Sequence, residues 1–500
     1  MNLIDKFEAA FAQDPAAPCC IVDNKVMRRI DFYRSVCKLA KALHAQGIQP
    51  GDVVGLTLPQ APVHLAMIVA IARLGAISLP VFPKSPGGVK RALLAKYGAK
   101  YLILPKAPEK LPDDLTFKLI TMDQLVDPAV ETPKNLRFMD YWPAPEDLGR
   151  LSLTSGTTGT PCAIAYTHAH WLTRIENTSM GYDDQTRLIP GDLHLTMGNI
   201  SSLAAMFKGG VVVFQLDQDL ANMAKLIALH GVTHAMLTPA SLPKLASFMP
   251  GDGNAFPSLK QLRAVGGSLA DPVFKLTRQK ITPHIYLPYG SSEVGLITMA
   301  TPEMQMSHPN HTGKPRKGVT MEVVDENDQV LPAGQSGELR VKIAGMPTSY
   351  YKDEERTREK FKHGWYYTSD IGTITPDGFV KVEGRLDDRI NLGGIKFFPE
   401  ELENVFNTHP LIAESAVVSK TDANGVKRLF ALLVPKPSEG PLDLKLGEFC
   451  KEKKFGGKTP GTFIVIQSLP RNPAGKILRK DLPGLIDKMA KQQAKAKELH

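Results

Sequence analysis

Residues 153–161 form a run of hydroxyl-bearing residues and glycines, Leu-Thr-Ser-Gly-Thr-Thr-Gly-Thr-Pro. Glycine lets a backbone approach a phosphate closely, and consecutive N–H groups in such a loop form a concavity that binds anions. The pattern differs from the Walker loop, which needs two glycines followed by Lys and then Ser or Thr. Its local composition also fits a plain polar turn. The sequence predicts a phosphate loop of another kind, with the residues Thr154, Ser155, Gly156, Thr157, Thr158 and Gly159.

Four further short motifs follow this loop along the chain. They are residues 289–293 (Tyr-Gly-Ser-Ser-Glu), 364–370 (Gly-Trp-Tyr-Tyr-Thr-Ser-Asp), 383–388 (Glu-Gly-Arg-Leu-Asp-Asp) and 473–477 (Pro-Ala-Gly-Lys-Ile). The kind, order and spacing of the five motifs resemble the adenylate-forming superfamily. That superfamily includes acyl-CoA and aryl-CoA synthetases, adenylation domains of peptide synthetases, and luciferases. The resemblance extends over about residues 50 to 480.

The resemblance implies an AMP-forming acid–thiol ligase of the acyl-CoA synthetase type. Such an enzyme joins an acyl or aryl acid to the α-phosphate of ATP, releases pyrophosphate, and then passes the acyl group to coenzyme A. Bringing two anions together requires a phosphate cradle, a divalent cation and a positive charge near the reacting oxygens. We therefore expect ATP as a substrate, Mg²⁺, and coenzyme A.

The resemblance also implies roles for residues of the nucleotide site. Glu293 is expected to help hold Mg²⁺, and Ser292 to face the phosphates. Asp370 is expected to accept hydrogen bonds from both ribose hydroxyls, and Arg385 to make a second ribose or phosphate contact. The residues expected to surround adenine and complete this site are Gly266, Gly267, Ser268, Tyr289, Gly290 and Ser291. Three alternatives stay open: Glu293 as a first-turn acid of a helix, Asp370 as an acid that caps a turn before Gly372, and Arg385 in a surface salt bridge.

Lys476 is the residue that the resemblance implies as the catalytic cation, which bridges the substrate carboxylate and the α-phosphate. It follows Gly475, a residue with unusual backbone freedom. The resemblance places Lys476 on a small domain that rotates after adenylate forms. Asp387 matches the hinge residue, and Gly393 and Gly394 match the glycines that line the approach of the thiol.

Cys162 and Ala163 stand where the superfamily usually has Lys and Gly after the proline. A cation of the phosphate loop is therefore missing, and a charged hydrogen bond of this kind contributes about 1.5–3 kcal/mol. We expect Cys162 to be a small apolar filler, because no base partner can be assigned to it. His168 and His170 form a pair without a third ligand, which is weak support for a metal site.

The identity of the acid depends on the segment after a strand predicted at residues 193–196. The family commonly has a histidine there, whereas this chain reads Met-Gly-Asn-Ile-Ser-Ser at residues 197–202. The Asp that binds an amino group in peptide-synthetase domains is not evident, which argues against an amino-acid substrate. Asn199 resembles the asparagine of members that activate aryl acids, where the amide pairs with a ring hydroxyl; a loop-capping side chain is the alternative.

The elements that must position these residues read as repeated strand–helix alternation. Strands are predicted at residues 211–214, 233–237, 259–265 and 285–287, with helices at 220–230, around 242–245 and at 272–279. Strands that end in glycine pairs and lead into helices predict ligand binding at the carboxyl edge of a mostly parallel sheet. This places residues 266–268 and 289–290 in one crevice.

Beyond about residue 320 the pattern becomes antiparallel. Residues 321–325 and 337–343 alternate like paired strands, and 371–382 read as a hairpin that turns at 376–378. A small α+β unit of about 110 residues follows, with a helix opening at Pro399 and strands at 416–419 and 429–434. We predict an α/β fold with a large N-terminal domain of mostly parallel sheets and a β-barrel-like part, residues 1–386, and a mobile α+β C-terminal domain, residues 387–500.

Composition is ordinary for a globular enzyme, and 500 residues exceed what one hydrophobic core organises. Much of the excess positive charge in the net charge of +9 lies in the tail after Lys480, and this tail predicts a solvated helix. The sequence shows no basic face interleaved with aromatic residues, so we do not expect the protein to bind nucleic acid. Five cysteines, an odd number without Cys-x-x-Cys, favour a reducing compartment. No signal segment is evident, and residues 63–81 read as helix then strand rather than a membrane span, so we expect a cytoplasmic protein.

Three functions remain open at this point. The leading one is a ligase that adenylates a small-molecule carboxylic acid and transfers it to coenzyme A. The second keeps the adenylation but loads the acyl group onto the phosphopantetheine of a separate carrier protein. The third is an adenylate-binding protein with impaired catalysis, suggested by Cys162 and opposed by the retention of Lys476, Glu293 and Asp370.

Overall fold

The structure is a computed structural model, and it describes residues 1–107, 116–126, 131–154, 161–179, 181–217, 219–249, 251–392, 395–421, 427–436, 445–453, 455, 458–472 and 475–498. Helices α1 to α15 are, in order, Leu3–Ala12, Arg29–Ala45, Pro62–Arg73, Gly87–Tyr97, Met122–Leu125, His168–Thr178, Thr196–Phe207, Leu220–His230, Ser241–Ser247, Asp271–Lys280, Pro302–Ser307, Glu354–Lys360, Pro399–Phe406, Leu446–Glu452 and Leu482–Glu498. Short 3₁₀ helices lie at Leu386–Asp388 and Arg479–Asp481.

Strands β1 to β24 are, in order, Pro18–Val22, Lys25–Arg28, Val53–Leu56, Ile77–Pro80, Ala99–Leu104, Lys118–Thr121, Leu148–Thr154, Cys162–Thr167, Arg187–Ile189, Val211–Val213, His234–Leu237, Gln261–Ala264, Ile285–Ser291, Gly295–Ala300, Val319–Val324, Gly337–Ile343, Phe361–Lys362, Trp365–Ile374, Val380–Arg385, Ile390–Leu392, Ile395–Phe397, Ile412–Thr421, Lys427–Pro435 and Thr462–Val465.

Two mostly parallel sheets dominate the first 300 residues. One has eight strands in the order β14-β13-β12-β11-β9-β10-β1-β2, and the other has six in the order β6-β5-β3-β4-β7-β8. The inner pairs are parallel, whereas β13–β14, β1–β2 and β7–β8 are antiparallel. Parallel strands are covered on both faces, which explains uninterrupted apolar runs such as the buried Val211–Val213. Helix α3 is buried along nearly its whole length.

The antiparallel part that the sequence predicts after residue 320 is present. Strands β15-β16-β18-β17 form a sheet in that order, and β19 pairs with β18. The β18–β19 hairpin turns between Ile374 and Val380, as the Pro-Asp-Gly at 376–378 predicts. Its register places Asp370 opposite Arg385, which brings two of the predicted site residues together.

The chain leaves one sheet and enters others at the 3₁₀ helix Leu386–Asp388. Strand β19 ends in the five-stranded sheet, and the next strands belong to a β20–β21 hairpin and a β22-β23-β24 sheet. The latter sheet and helices α13 and α14 share a core that includes Phe406, Leu429 and Leu433. The boundary fits the predicted division at residues 386 and 387, which stays a prediction, as does the mobility of the second unit.

Most predicted elements are found within a few residues of their expected ends. Helix α8 is closed by Gly231 in the left-handed conformation, and the predicted helix at 399–406 and strands of the small unit are present. The prediction of a strand at residues 193–196 is wrong. The Asp192 carboxylate accepts the backbone N–H of His194 at 2.9 Å and folds this stretch into a turn, so that α7 begins at Thr196.

None of the helices built from the described residues combines the length and apolarity needed to cross a membrane. Residues 63–81 form helix α3 and strand β4, as predicted.

Candidate active site

Asp370 is the centre of a half-buried polar cluster between the large sheets and the small unit. Its Oδ2 accepts the hydroxyl of Tyr289 at 2.7 Å, and its Oδ1 lies 3.7 Å from Nε of Arg385. Its backbone N–H donates to Oγ1 of Thr368 at 3.0 Å, which fixes the direction in which the carboxylate leaves β18. Strands β13, β18 and β19 thus each contribute one member of the cluster.

Burial raises the pKa of Asp370, and Arg385, Tyr289 and Lys476 act in the opposite direction. Burial also raises the pKa of Tyr289, with the Asp370 charge as the next cause. A carboxylate held in a low-dielectric site with cations nearby interacts strongly with any hydroxyl or charge that enters. The cluster has the chemistry that binding of a ribose hydroxyl pair requires.

Lys476 belongs to a tight loop on the small unit. Its backbone N–H donates to Oδ1 of Asn472 at 2.9 Å, and the N–H of Asn472 donates to the carbonyl of Lys476 at 2.9 Å. Arg471 donates to the carbonyl of Gly475 at 2.6 Å and to Glu414 at 2.8 Å. Burial lowers the pKa of Lys476, Arg385 lowers it further, and Asp370 raises it. Lys476 is therefore electrostatically coupled to the Asp370 cluster.

Gly475 brings this loop against the large domain. A Cβ on Gly475 would lie 2.8 Å from Cγ2 of Thr238, a residue just after strand β11, and the φ of Gly475 is +80°. Both features require glycine. The contact shows how the chain brings Lys476 to the carboxyl edge of the eight-stranded sheet, where parallel sheets bind ligands.

Glu293 lies in the turn between β13 and β14, not in a helix, so the alternative of a first-turn helix acid is excluded. It is 6% exposed, and its Oε1 accepts the hydroxyl of Tyr350 at 2.8 Å. Arg174 of α6 donates to the carbonyl of Ser292 at 2.8 Å, and the hydroxyl of Tyr166 donates to the same carbonyl. The turn that carries Glu293 is thus held from both sides.

Glycines shape the two strand ends beside this turn. Gly266 follows β12 with a φ of +92°, and Gly267 and Ser268 continue the loop. A Cβ on Gly290 would lie 2.0 Å from the carbonyl oxygen of Gly295 across the β13–β14 pair, so only glycine fits there. Strands β12 and β13 are neighbours, which places both glycine segments at one edge, as predicted.

The frame of the predicted phosphate loop is visible at its two ends, where Thr154 of β7 pairs with Cys162 of β8. Ser155, Gly156, Thr157, Thr158 and Gly159 lie outside the described residues. Cys162 is 2% exposed, and burial raises the pKa of its thiol. Its surroundings are not purely apolar, because Nη1 of Arg356 lies 3.2 Å and Oδ2 of Asp353 lies 3.3 Å from Sγ.

Ser369, the residue before Asp370, has a left-handed backbone with a φ of +59°. Its N–H donates to Glu338 at 3.0 Å, and its hydroxyl accepts from Nζ of Lys360. A non-glycine residue in this conformation carries strain, which is common next to functional groups.

Asn199 lies in helix α7, which excludes the loop-cap alternative. It is fully buried, and its Nδ2 donates to the carbonyl of Leu195 at 2.9 Å. Its Oδ1 has no hydrogen-bond partner within the described part of the chain. Burial lowers the pKa of His168 to about 4 and also lowers the pKa of His170. Over the residues described, no three His, Cys, Asp or Glu side chains form a group that could hold a metal.

Asp387 lies in the 3₁₀ helix between the two units. The residue that follows it, Asp388, contacts the small unit. Arg479 approaches Asp388 at 3.7 Å and donates to Glu400 at 2.9 Å and to Glu403 at 2.6 Å. Gly393 and Gly394 lie outside the described residues.

Sequence reasoning missed the residues that hold the predicted ones in place, namely Tyr166, Arg174, Thr238, Tyr350, Arg356 and Asn472. They lie on elements remote in sequence from the residues they support, and single arginines or tyrosines carry no local pattern. Asn472 is the exception, since it stands just before the Pro-Ala-Gly-Lys motif.

Known proteins resemble this chain in sequence and in fold. The sequence model of the AMP-binding enzyme family matches residues 7–351, and that of the AMP-binding enzyme C-terminal domain matches residues 401–476. A 2-succinylbenzoate–CoA ligase of Bacillus subtilis (strain 168) is 26% identical over 476 residues, which are 94% of this chain and 95% of the relative. The fatty acid–[acyl-carrier-protein] ligase ScoC of Streptomyces coeruleorubidus is 25% identical over 490 residues, 94% of this chain and 93% of the relative.

Among solved structures, the o-succinylbenzoate CoA synthetase MenE of Bacillus subtilis, in complex with the acyl-adenylate intermediate OSB-AMP, superimposes with a TM-score of 0.86. It is 23% identical, and the match covers 96% of this chain and 98% of that one. This likeness confirms the predicted fold class. Since the two family matches together span most of the sequence, the chain belongs to the AMP-binding enzyme family, and the predicted resemblance is confirmed.

Proposed function

We propose that this enzyme uses Asp370, Arg385 and Lys476 to join a carboxylic acid to AMP, and then transfers the acyl group to coenzyme A. The observation that carries the proposal is that the β18–β19 hairpin pairs Asp370 with Arg385, and that Lys476, about 90 residues further along the chain, interacts electrostatically with both. The predicted enzyme class, an AMP-forming acid–thiol ligase, is confirmed by family membership and by the CoA ligases among the relatives.

The residues of the cluster fit ATP. Asp370 accepts the Tyr289 hydroxyl with one oxygen, and a carboxylate has further lone pairs for the two ribose hydroxyls. The Tyr289 ring and the backbone at 266–268 offer the flat surfaces that adenine needs. Arg385 supplies a charge beside the ribose or the phosphate, and Thr154 with the loop that follows it supplies the phosphate cradle.

Glu293 is the residue that would hold Mg²⁺, with Ser292 facing the phosphates. Mg²⁺ bound to a nucleotide takes one or two protein carboxylates and fills its other positions with phosphate oxygens and water. A single buried carboxylate therefore fits this ion. When bound, Mg²⁺ neutralises phosphate charge in the transition state. The Tyr350 hydroxyl orients the carboxylate through Oε1.

Lys476 has the central role in the first half-reaction. A carboxylate oxygen of the acid attacks the α-phosphorus of ATP, the bond to the β-phosphate oxygen breaks, and pyrophosphate leaves. A compact ammonium group between the two anions offsets their repulsion and the charge that develops. In the second half-reaction the thiol sulfur attacks the acyl carbon, the bond from that carbon to the phosphate oxygen of AMP breaks, AMP leaves, and the thiol proton passes to water.

Asp387 would be the hinge between residues 1–386 and 387–500. The Gly475–Thr238 contact holds Lys476 at the large domain, the arrangement that adenylation needs. Rotation about Asp387 would remove Lys476 and bring Gly393 and Gly394 to the thiol's path.

The substrate is a small-molecule carboxylic acid, aryl or acyl. Relatives are named for 2-succinylbenzoate and for a fatty acid, neither of which is an amino acid. The buried Asn199 amide, whose Oδ1 has no partner among the described residues, would accept a hydrogen bond from a hydroxyl of the acid. A cytoplasmic location is in keeping with five cysteines that are all free.

Exchange of labelled pyrophosphate into ATP, dependent on a panel of aryl and acyl acids, tests the first half-reaction. At least one acid is expected to support exchange. Failure of the whole panel with folded protein that still binds ATP would favour the adenylate-binding protein with impaired catalysis. Thioester formation is then measured with free coenzyme A and, separately, with a carrier protein that bears phosphopantetheine. The second acceptor is included because one relative is an acyl-carrier-protein ligase.

Lys476→Ala tests the role of the cation. Exchange is expected to fall by about 100-fold or more, whereas thioester formation from supplied acyl-adenylate is retained. Lys480→Ala is the matched control, since this exposed lysine lies four positions further along the same segment. Equal losses in both half-reactions would overturn the assignment.

A further inference from the structure

The exit of the phosphate loop carries no cation of its own. Thr154 and Cys162 form the last described pair of the β7–β8 ladder, and the residues of the predicted loop stand between them in sequence. Cys162 stands where the superfamily usually has lysine. The loop exit therefore offers a neutral thiol to a site that receives a triphosphate, according to the proposed function.

A guanidinium group from another part of the chain fills this neighbourhood. Arg356 belongs to helix α12, and its Nη1 lies 3.2 Å from Sγ of Cys162. Its Cζ lies 5.9 Å from the centre of the Tyr350 ring. The Tyr350 hydroxyl in turn donates to Glu293 at 2.8 Å. Arg356 thus contacts the loop exit directly and is linked through Tyr350 to the carboxylate proposed to hold Mg²⁺.

The position of Arg356 is set by several contacts of its segment. Asp353 caps α12 by accepting the N–H of Arg356 at 3.2 Å, and the N–H of Tyr350 donates to Oγ1 of Thr357 at 2.9 Å. The N–H of Tyr351 donates to the carbonyl of Ala163 at 2.7 Å, which joins the segment directly to β8. The backbone that carries Arg356 is therefore fixed relative to the loop exit, and the contact of Nη1 with Cys162 Sγ holds the guanidinium at that exit.

We propose that Arg356 binds the β- and γ-phosphates of ATP, and the pyrophosphate formed from them, in place of the lysine that follows the loop in the superfamily. This inference rests on the proposed function. Arginine suits the task, because its planar guanidinium forms paired hydrogen bonds with phosphate oxygens and stays charged at any working pH. A charge from α12 replaces one that the loop itself lacks.

Binding of magnesium pyrophosphate, ATP and AMP, measured by calorimetry, tests the proposal without any catalytic step. Arg356→Gln is expected to weaken pyrophosphate and ATP binding by roughly 10- to 100-fold and to leave AMP binding unchanged, because AMP lacks the two phosphates in question. Arg358→Gln is the matched control on the same helix, since this side chain is 75% exposed and approaches Glu354 only at 3.9 Å.

Arg356→Lys keeps a charge and much of the side-chain volume, so it is expected to lose less pyrophosphate affinity than Arg356→Gln, and it serves if the latter fails to fold. Cys162→Lys in the Arg356→Gln background is expected to restore part of the pyrophosphate affinity. Unchanged pyrophosphate affinity in Arg356→Gln would overturn the proposal. So would a loss of AMP affinity as large as the loss of pyrophosphate affinity together with a lowered unfolding temperature, because this result would mean that the substitution damages the fold. These outcomes are separate from the acid-dependent exchange of the unmodified enzyme, whose absence would count against the proposed function alone.

Discussion

Ser369 and Asp370 are consecutive residues that both sit in costly environments. Ser369 has a left-handed backbone, and Asp370 is a carboxylate whose pKa is raised by burial. Strain and desolvation that stability alone does not require are typical of residues placed for function. The two residues are held in place by neighbours, since Lys360 and Glu338 bind Ser369 and Tyr289 binds Asp370.

Ser369→Gly and Ser369→Ala separate the two parts of this arrangement. Both variants lose the hydroxyl that accepts from Lys360, but only glycine also removes the penalty of the left-handed backbone. We expect Ser369→Gly to be more stable than Ser369→Ala by about 1 kcal/mol, measured by chemical denaturation. Equal stabilities would mean that the backbone at this position is not strained.

Asp370→Asn is expected to raise the unfolding temperature of the ligand-free protein near neutral pH while it weakens ATP binding. The folded-state pKa of Asp370 is raised, so its charged form costs stability, and that cost grows as pH rises through the folded pKa. The difference between variant and parent should therefore shrink as pH falls toward the unfolded value of about 4.

Asp377→Asn is the control of opposite sign for that experiment. A hydrogen bond from Thr375 lowers the pKa of the exposed Asp377, so its charge favours the folded state and the substitution should not stabilise the protein. A lower unfolding temperature in Asp370→Asn would show that attraction to Arg385 and Lys476 outweighs burial.

The β13–β14 hairpin carries Glu293 on a turn that other elements hold. Arg174 of α6 donates to the carbonyls of Ser292 and Ser291 at 2.8 and 3.5 Å, and the guanidinium also leaves no room for a side chain at Gly295. Helix α6, which lies next to this hairpin, thereby fixes the position of a residue to which it contributes no ligand. The position of the Glu293 carboxylate is therefore set by the packing of α6 against β13 and β14.

Arg174→Met removes these bonds and keeps an apolar chain of similar length. We expect a loss of about 1.5–3 kcal/mol in unfolding free energy and a roughly tenfold rise in KM for magnesium-ATP in the exchange assay. Thr173→Ala on the same helix is the control, because its hydroxyl bonds only within α6. An unchanged KM in a destabilised Arg174→Met would limit Arg174 to a stabilising role.

The elements that the sequence predicts well are those with local signals. Gly231 ends α8, the Pro-Asp-Gly at 376–378 turns β18 into β19, and apolar runs mark the buried parallel strands. The family was also predictable, because five motifs occur in a fixed order, whereas the roles given to their residues stay predictions. The prediction of a strand at 193–196 was wrong because the Asp192 carboxylate accepts the N–H of His194 and turns the chain there. Tyr350 and Arg174 could not be found, since they act through contacts between distant segments.

The two units of the chain meet where Lys476 reaches the large sheet. Arg479 ties Asp388 to α13 of the small unit, so a rotation that begins at Asp387 would carry α13 and the Lys476 loop together. The contact of Gly475 with Thr238 holds that loop at the large unit in the arrangement proposed for adenylation. One half-reaction should therefore depend on this contact and the other should not.

Thr238→Phe tests that dependence from the large unit and leaves the Lys476 loop unaltered. Thr238 packs so closely against Gly475 that a Cβ on this glycine would lie only 2.8 Å from Thr238 Cγ2. An aromatic ring at position 238 must therefore push the Lys476 loop away. We expect pyrophosphate exchange to fall by about tenfold or more, because the ammonium group no longer reaches the reacting oxygens. Thioester formation from supplied acyl-adenylate should stay near the parent rate, and Thr238→Val, which keeps the shape, should resemble the parent in both assays. If Thr238→Phe slows both half-reactions equally while the protein remains folded, the two reactions share one arrangement of the units, and rotation about Asp387 is not part of the cycle.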